Sequence, residues 1–443
     1  MAMTGVQIFK LLPKTNCKKC GHPTCLAFAM KLAARQAKID DCPDVSAEAK
    51  AQLGEASAPP IRPITLGTGD RATKLGEETE LFRHDKKFVN PCAFALEIKD
   101  TDENAEARIQ DVLTSEIDRV GQKLRINAIC ITNASGDAGK LEAMAKLVAG
   151  KAPDTAVIIS TTNADAAKAA LAHFSGKGAM LHGADAGNME AMAAAAKAAG
   201  ASLGVRGKGP EELSELTEKA KAAGVEDIVM DPSSARAGNI LEHNTLIRRA
   251  ALKKGFKPLG YPVITFAQRD DAMLEVLVAA TGICKYSSIV VVSSADKWKN
   301  LALFTLRQNI YTDPQVPMQV KQDIYKIGEP DKAAPLMITT NFSLTYFIVS
   351  GEIENSRKPA RLAVMDCEGL SVLTAWAAGK FTASKIAAFI QESGVANDMD
   401  TKELIIPGYV AILSGALEDK LEGWKITVGP REANAIPAFL KAR

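Results

Sequence analysis

The middle of the chain alternates short apolar, β-branched segments with longer amphipathic ones. Eight of the short segments have the length and composition of buried strands: Cys92–Ile98, Ile126–Ile131, Ala156–Ile159, Ala179–Leu181, Leu203–Val205, Asp227–Met230, Tyr261–Thr265 and Ser288–Val292. Helix-patterned segments lie between them, among them Ala105–Val120, Met189–Ala199 and Glu211–Ala223. Strands that are apolar on both faces and alternate with helices are typical of a parallel sheet. Eight such units in about 230 residues predict an α/β fold with a closed (β/α)8 TIM barrel.

Enzymes with this barrel carry their chemistry on the loops that follow the strands. Those loops offer polar residues here: Asp100, Asn133, Thr161, Thr162, Asn163, His182, Arg206, Lys208, Asp231, Gln268, Arg269, Ser293 and Ser294. They contain no metal triad, no nucleophile elbow and no phosphate-binding glycine loop. A lone histidine at a strand end, such as His182, is more typical of a hydrogen-bonded structural residue. We therefore interpret the barrel as a scaffold.

The last hundred residues repeat the alternation on a smaller scale. Four strands are predicted, at Leu336–Thr340, Leu362–Asp366, Leu404–Ile406 and Lys425–Val428. Helices between them predict a small doubly wound, Rossmann-like sheet, which binds ligands at the carboxyl ends of its strands. Four glycines near that edge would let a large flat ligand approach the backbone: Gly369, Gly408, Gly415 and Gly429. Glycines at such positions also serve as ordinary turns and helix caps.

Four cysteines near the start of the chain carry the most specific chemistry. Cys17 and Cys20 form a C-x2-C pair, Cys25 follows five residues later, and Cys42 precedes a proline. Iron–sulfur clusters take thiolate ligands, and four on one small lobe suit a single [4Fe–4S] cluster. A zinc site with four thiolates and a disulfide pair are the alternatives, although zinc ribbons favour two facing C-x2-C pairs. The other cysteines, without motif spacing, are interpreted as small core residues: Cys92, Cys130, Cys284 and Cys367.

Composition and linkers set the domain organisation. The 443 residues carry a net charge of +2, which indicates neither nucleic acid nor an anionic membrane as partner. We expect a cytoplasmic protein, because no apolar run approaches the roughly 20 residues of a membrane span and the first residues lack a signal peptide. Proline-rich stretches divide the chain into an iron–sulfur cluster domain (1–57), a linker (58–67), the barrel (68–312), a second linker (313–335) and the C-terminal domain (336–443).

The three parts together resemble one family, the large (gamma) subunit of the corrinoid iron–sulfur protein of the anaerobic acetyl-CoA (Wood–Ljungdahl) pathway. The resemblance is sharpest over Cys17-Lys18-Lys19-Cys20-Gly21-His22-Pro23-Thr24-Cys25-Leu26-Ala27-Phe28, with Cys42 following, and the order of the three domains makes it specific. It implies that the C-terminal domain binds a corrinoid of the cobalamin type. We expect the following residues to contact it: Thr340, Asn341, Tyr346, Gly369, Leu370, Ser371, Val372, Leu373, Thr374, Gly415, Gly429, Pro430, Arg431, Glu432, Ala433 and Ile436.

The function that the resemblance implies is that of a methyl carrier, a subunit of a corrinoid methyltransferase system. In that family cob(I)amide accepts a methyl group from methyltetrahydrofolate on a separate methyltransferase and passes it to acetyl-CoA synthase. The [4Fe–4S] cluster reduces inactive Co(II) back to Co(I). The implied partners are a small barrel subunit, which completes a heterodimer, the methyltransferase and acetyl-CoA synthase.

The cobalt of that family has no protein histidine ligand, and this chain has no histidine after His243. Cys367 stands near the position where other corrinoid domains place a histidine, and we predict that it does not bind cobalt. Two alternatives remain. In the first alternative, the barrel is itself a pterin-dependent methyltransferase. In the second, the chain is an iron–sulfur electron-transfer module.

Overall fold

The computed structural model describes residues 5–33, 36–37, 39–46, 48–50, 59–119, 122–234 and 236–443. The predicted boundary between the iron–sulfur domain and the first linker, at residues 57 and 58, lies outside the described residues. The chain forms two compact units. The first contains residues 1–117 and 124–312, and the second contains residues 118–123 and 313–443. Within the described residues, no helix is long and apolar enough to cross a membrane.

Among its described residues, the N-terminal lobe contains the short helices α1 (Gly5–Leu11) and α2 (Cys25–Ala33), with a 3₁₀ turn at Ile39–Asp41 after them. The hydroxyl of Thr24 accepts a hydrogen bond from the backbone N–H of Ala27 at 3.1 Å, which caps the start of α2. A small core of buried apolar side chains includes Ile8, Phe28 and Leu32. Cys25 and Cys42 belong to the same core, so two of the four cysteines are held by packing.

Residues 64–311 contain twelve strands and eight helices among the described residues. The strands are β1 (Ile64–Leu66), β2 (Thr73–Leu75), β3 (Ala93–Lys99), β4 (Ile117–Arg119), β5 (Gln122–Leu124), β6 (Ala128–Thr132), β7 (Ala156–Ser160), β8 (Met180–Ala184), β9 (Ser202–Arg206), β10 (Ile228–Asp231), β11 (Ile264–Phe266) and β12 (Ile289–Val292). The helices are α3 (Ala105–Thr114), α4 (Ala138–Lys151), α5 (Ala164–Leu171), α6 (Met189–Ala199), α7 (Pro210–Ala222), α8 (Ala237–Lys254), α9 (Ala272–Cys284) and α10 (Lys297–Tyr311).

Eight of these strands form one parallel sheet in the order β10-β9-β8-β7-β6-β3-β12-β11. A parallel bridge between Met230 and Val263 joins the two ends, so the sheet closes into a barrel. The predicted fold class is therefore confirmed. Side chains at alternate strand positions fill the interior, among them Ala95, Cys130 and Val229, while their neighbours pack against the helices.

Two hairpins depart from the sequence-based prediction. Strand β1 lies inside the segment assigned to the first linker; it pairs with β2, and its Ile64 and Leu66 are buried among residues of the barrel interior. The predicted helix Ala105–Val120 instead ends at Thr114. Ser115 follows it, and its hydroxyl accepts a hydrogen bond from the backbone N–H of Ile126 at 3.1 Å across the hairpin β4–β5. This bond favours a chain reversal over continued helix.

The second unit is built on a five-stranded sheet with helices on both faces. Its strands are β13 (Asp323–Ile327), β14 (Leu336–Thr340), β15 (Ala360–Met365), β16 (Glu403–Ile406) and β17 (Lys425–Val428). Its helices are α11 (Ser343–Ser356), α12 (Val372–Ala377), α13 (Ala383–Glu392), α14 (Ser414–Lys420) and α15 (Ile436–Lys441). The order is β13-β15-β14-β16-β17, and every pair is parallel except that of β13, an edge strand within the predicted second linker.

The strand order of this sheet reverses direction between β14 and β16. Helices α12, α13 and α14 cover one face, and α11 and α15 cover the other. In open parallel sheets ligands bind at the carboxyl ends of the two strands that flank such a reversal. The fold thus directs attention to the segments that follow Thr340 and Ile406.

Candidate cofactor sites

The cysteine lobe brings the four predicted cluster ligands onto one small part of the chain. Cys25 is the first residue of α2, and Cys42 follows the 3₁₀ turn; both are buried, whereas Cys17 is exposed and Cys20 half-buried. Asn16 ties the loop to the helix, because its side-chain oxygen accepts a hydrogen bond from the Cys25 N–H at 2.8 Å. The backbone N–H of Asn16 in turn donates to the Cys25 sulfur at 3.4 Å.

The backbone around these cysteines is unusual. Lys14, Asn16 and Lys18 have positive φ angles of 60°, 49° and 63°, and Gly21 has one of 78°. Left-handed residues in a loop point backbone N–H groups into a shared concavity, which is a common way of binding anions and iron–sulfur clusters. The N–H contact to the Cys25 sulfur is of the kind that tunes a cluster's reduction potential.

Burial and neighbouring charges shift pKa values around the cysteines. Burial raises the pKa of the Cys42 thiol, and the nearby thiols of Cys20 and Cys17 raise it further. Asp44 accepts hydrogen bonds from Lys19 at 3.1 Å and from the Cys17 thiol at 3.5 Å, and these lower its pKa.

No three His, Cys, Asp or Glu side chains of the described residues lie close enough to share one metal ion. In a [4Fe–4S] cluster each thiolate binds a different iron, so the four sulfurs do not share one ion.

In the second unit, Asn341 organises the predicted corrinoid edge. Its side-chain oxygen accepts hydrogen bonds from the N–H groups of Cys367 at 2.9 Å and Gly369 at 3.0 Å. Its side-chain nitrogen donates to Asp366 at 2.9 Å. Because Asn341 is only 2% exposed, its amide serves the loop that follows β15 and does not face solvent.

Thr340 and Gly415 are the predicted contacts that leave room or an unmet hydrogen bond for a ligand. Thr340 is fully buried at the end of β14, and its hydroxyl has no hydrogen-bond partner in the described part of the chain. Such an unpartnered hydroxyl is unfavourable unless a bound group or water satisfies it. Gly415 lies in the first turn of α14, and a Cβ built there would meet no atom within 4 Å.

The remaining predicted contacts fall into two groups. Backbone hydrogen bonds from Gly408 to Pro430 at 3.0 Å and from Gly429 to Ile406 at 2.9 Å bring the segment after β17 beside the turn after β16. Arg431 and Glu432 are exposed there, whereas Pro430 and Ala433 are half-buried and Ile436 is buried. On the loop after β15, Gly369 is buried, Leu370, Ser371 and Val372 are half-buried, and Leu373 and Thr374 are exposed. Tyr346 packs on Tyr325 at 5.0 Å in the core beneath α11.

The same edge exposes large apolar side chains, four of which the sequence analysis missed. Leu344, Leu373, Trp376, Tyr409 and Ile412 are between 40% and 76% exposed, and all lie in the first two helical turns after a strand. The missed residues are Leu344, Trp376, Tyr409 and Ile412. A sequence signal existed for them, since large apolar residues directly after β16 and early in α11 and α12 have no reason to face water in a closed core.

Cys367 is a core residue, as predicted. It is 1% exposed, and burial raises the pKa of its thiol to about 12. Cys92 and Cys130 are likewise buried, whereas Cys284 is half-buried.

The barrel mouth holds a second polar constellation, in a cavity of about 450 Å³. His182 Nδ1 lies 3.1 Å from the Ser160 hydroxyl, and His182 Nε2 lies 3.0 Å from the Asp231 carboxylate. Thr132 donates a hydrogen bond to Glu97 at 2.9 Å. Of the predicted loop residues, His182, Arg206, Asp231 and Arg269 line this cavity; Glu97, Thr132, Ser160, Thr265 and Phe266 also line it and were missed.

Three other predicted loop residues have structural partners. Asp100 accepts hydrogen bonds from the backbone and hydroxyl of Ser135. Asn133 donates to the Thr161 hydroxyl at 3.1 Å. Asn163 caps helix α5 by accepting from the N–H groups of its first turn.

Comparisons with known proteins identify the family. A family model described as CO dehydrogenase/acetyl-CoA synthase delta subunit matches residues 63–440, and one described as putative Fe-S cluster matches residues 12–43. The corrinoid/iron-sulfur protein large subunit of Moorella thermoacetica is 44% identical, over 100% of this chain and 99% of that protein. The acetyl-CoA decarbonylase/synthase complex subunit gamma of Methanothermobacter thermautotrophicus is 33% identical, over 99% of each chain.

Among solved structures, the dihydropteroate synthase of Yersinia pestis covers 51% of this chain and 98% of its own, with 12% identity and a TM-score of 0.36. The full-length relatives, together with the match over residues 63–440, decide the assignment. The chain belongs to the family of corrinoid/iron–sulfur protein large subunits, which includes the gamma subunits of the archaeal acetyl-CoA decarbonylase/synthase complex.

Proposed function

We propose that this chain carries methyl groups on a corrinoid held at the carboxyl edge of its second unit, and that a [4Fe–4S] cluster on Cys17, Cys20, Cys25 and Cys42 keeps that corrinoid active. The methyl source would be methyltetrahydrofolate on a separate methyltransferase, and the acceptor acetyl-CoA synthase. When bound, the corrinoid would supply a cobalt that accepts and releases a methyl group, and the cluster would supply single electrons.

The observation that carries the proposal is the chemistry of the carboxyl edge. Exposed apolar side chains there, such as Trp376 and Ile412, suit the broad apolar surface of a macrocycle. The unpartnered Thr340 hydroxyl suits its polar substituents. Asn341 would hold the loop from Asp366 to Gly369 in place, so that backbone and small side chains approach the ring. The donor set at this edge therefore fits a corrinoid.

The absence of histidine after His243 supports a cobalt without protein imidazole. Cys367 would not replace it, because burial keeps its thiol protonated and its N–H is tied to Asn341. A weak lower ligand would make reduction of the cobalt to Co(I) easier, since the axial ligand is a main determinant of a cofactor's reduction potential.

The cysteine lobe fits a cluster in several respects. It has four thiols, left-handed residues on either side of Cys17, and an N–H contact to the Cys25 sulfur. All eight cysteines are free, which supports a reducing compartment and hence the cytoplasm.

The proposed partner is a smaller subunit, which the relatives' designation as large subunits supports. Helix α9 presents an uncharged outer face, because its single charged residue, Glu275, is buried. Met273, Leu274 and Leu277 are 46% to 66% exposed, and neighbouring α10 adds Trp298 and Leu301 at about half exposure. Monomers rarely leave such a contiguous apolar surface open to water, so we expect the partner to cover it.

Gly415→Phe tests the location of the corrinoid. The large side chain enters open space and should leave the fold intact, but it should lower bound cobalt several-fold while iron stays at four per chain. Gly351→Phe is the matched control, since a Cβ at Gly351 would also meet no atom within 4 Å and the residue lies later in α11. Full cobalt in Gly415→Phe would contradict the location, and wild-type protein that binds no cobalt would favour an electron-transfer module.

A further inference from the structure

The inward-facing side chains of the barrel change from apolar to polar at the carboxyl ends of the strands, which form the top layer of the interior. Interior residues lower in the strands are apolar, among them Ala95, Ile158 and Met180. Two positions further along each strand, the inward side chains become polar: Glu97 on β3, Thr132 on β6, Ser160 on β7, His182 on β8, Arg206 on β9 and Asp231 on β10. A barrel that served only as a scaffold would gain stability from apolar side chains in this layer as well.

Local backbone features shape this layer around His182. Strand β8 has an irregularity between His182 and Ala184, where Gly183 takes a φ of 119° and lies so close to Thr161 that a Cβ would clash with its carbonyl oxygen at 2.2 Å. On the next strand, a Cβ at Gly204 would meet the His182 ring at 3.0 Å and the Met180 methyl at 2.7 Å. Bulges of this kind often re-aim a side chain beside a binding site.

The hydrogen bonds leave a row of acceptors facing the cavity. The Asp231 carboxylate can only accept, so in the neutral form of His182 the Nε2 donates to it and the Nδ1 accepts from the Ser160 hydroxyl. The Thr132 hydroxyl likewise donates its hydrogen to the Glu97 carboxylate. Glu97, Thr132 and Ser160 therefore present oxygen lone pairs side by side on three adjacent strands.

Arg206 places a positive charge on the opposite wall. Strand β9 lies four strands from β3 in the closed eight-stranded barrel, so Arg206 stands across the mouth from Glu97. Arg206 is 43% exposed and pairs with Asp185 at 3.1 Å, a surface ion pair that a ligand can displace at little cost. Phe266 adds an aromatic surface between the two walls.

We propose that the barrel mouth is a second small-molecule site, which binds a compound with a donor-rich amino or amide head against Glu97, Thr132 and Ser160 and an anionic group at Arg206. A proton of the head that is passed to Ser160 can be taken up by His182, whose positive charge Asp231 then stabilises. The cavity volume suits a ligand of drug-like size.

Methyltetrahydrofolate is a suitable probe, because it has both a donor-rich head and a carboxylate tail. Its choice rests on the proposed function, in which such a compound is the methyl source. Methyltetrahydropterin supplies the head alone, and 4-aminobenzoylglutamate supplies the tail alone. Calorimetric titration of the full chain, without any methyltransferase and both with and without corrinoid, measures binding at the mouth independently of methyl transfer.

We expect saturable binding of the complete probe at one site. Glu97→Gln should weaken binding of the complete probe and of the head alone about tenfold or more, because it removes a charged acceptor. Arg206→Gln should weaken the complete probe about three- to tenfold and leave the head alone unchanged. Glu103→Gln, at an exposed carboxylate in the loop after β3, should change neither.

Three results would overturn the proposal: no saturable binding of the complete probe, equal binding by wild type, Glu97→Gln and Arg206→Gln, or a head that binds as tightly as the complete probe. Melting temperatures identify a variant that fails to fold. Because Arg206 is half-exposed, we expect Arg206→Gln to fold, and it can still test the site if Glu97→Gln unfolds. The chain can bind the probe at the barrel mouth even if it binds no cobalt and transfers no methyl group. It can equally carry methyl groups on cobalt without binding the probe.

Discussion

Asn341→Ala should release the loop that follows β15 and loosen the corrinoid edge with it. In the wild type the side-chain oxygen of Asn341 accepts from Cys367 and Gly369, and its nitrogen donates to Asp366. Alanine leaves two buried N–H groups without an acceptor, and each such group costs about 1–3 kcal/mol. Entry of water relieves part of this loss. We expect the local stability of the loop to fall by about 3 kcal/mol.

Hydrogen–deuterium exchange measured by mass spectrometry can test this magnitude. Every 1.4 kcal/mol corresponds to a factor of ten in an equilibrium, so exchange of the Cys367 and Gly369 amides should speed up about 100-fold. Cobalt content of the purified protein should fall in parallel. Asn355→Ala is the control, because Asn355 is exposed on α11 and its amide makes only a 3.5 Å contact with Glu352.

Two outcomes would refute the reasoning. Exchange and cobalt content equal to wild type would mean that the three hydrogen bonds do not hold the loop. Faster exchange spread evenly over β14, β15 and β16 would mean that the substitution destabilises the whole second unit and that the loop has no separate dependence on Asn341.

Three further predictions concern the cluster, the cobalt ligand and the partner. Cys42→Ala should abolish or convert the cluster and stop reductive reactivation, while protein already reduced still transfers methyl; iron analysis that still finds four irons would contradict the ligand set. Cys367→Ser should leave the Co(II) electron paramagnetic spectrum and the Co(II)/Co(I) midpoint potential unchanged, and a shift of tens of millivolts would show that the thiol binds cobalt. Leu277→Glu should weaken association with the smaller subunit at least tenfold in size-exclusion or calorimetric assays, whereas Ala194→Glu on α6 should not; equal effects would remove α9 from the interface.

The eight barrel strands were predictable because each is an apolar, β-branched segment bounded by turns, as in Ile289–Val292. Two elements were not. Strand β13 is an edge strand of mixed polarity between prolines, and a strand that is half-solvated leaves little apolar signal. The hairpin β4–β5 lies where the apolar spacing of α3 continues, and the hydrogen bond that the Ser115 hydroxyl accepts from the Ile126 N–H joins residues eleven positions apart, which local spacing does not reveal.

The candidate sites divide in a similar way. Cysteine spacing is local, so Cys17, Cys20, Cys25 and Cys42 could be singled out from sequence. The role of Asn341 could not, because its partners lie 25 to 28 residues away and depend on the pairing of β14 with β15. The polar top layer of the barrel was within reach, since Glu97 and its counterparts follow the period of two that strand geometry imposes.

The hairpin β4–β5 bears on how separable the second unit is. Its residues 118–123 group with residues 313–443, and the Arg119 guanidinium lies 5.7 Å from the ring of Phe347 on α11. A long stretch of barrel sequence, residues 124–312, therefore interrupts the segments that make up this unit. A fragment that starts at Asp313 would lack one of its own pieces, and the unit could not be exchanged between relatives as a single cassette. Dissection or grafting of the corrinoid edge requires a design in which the hairpin is supplied as well.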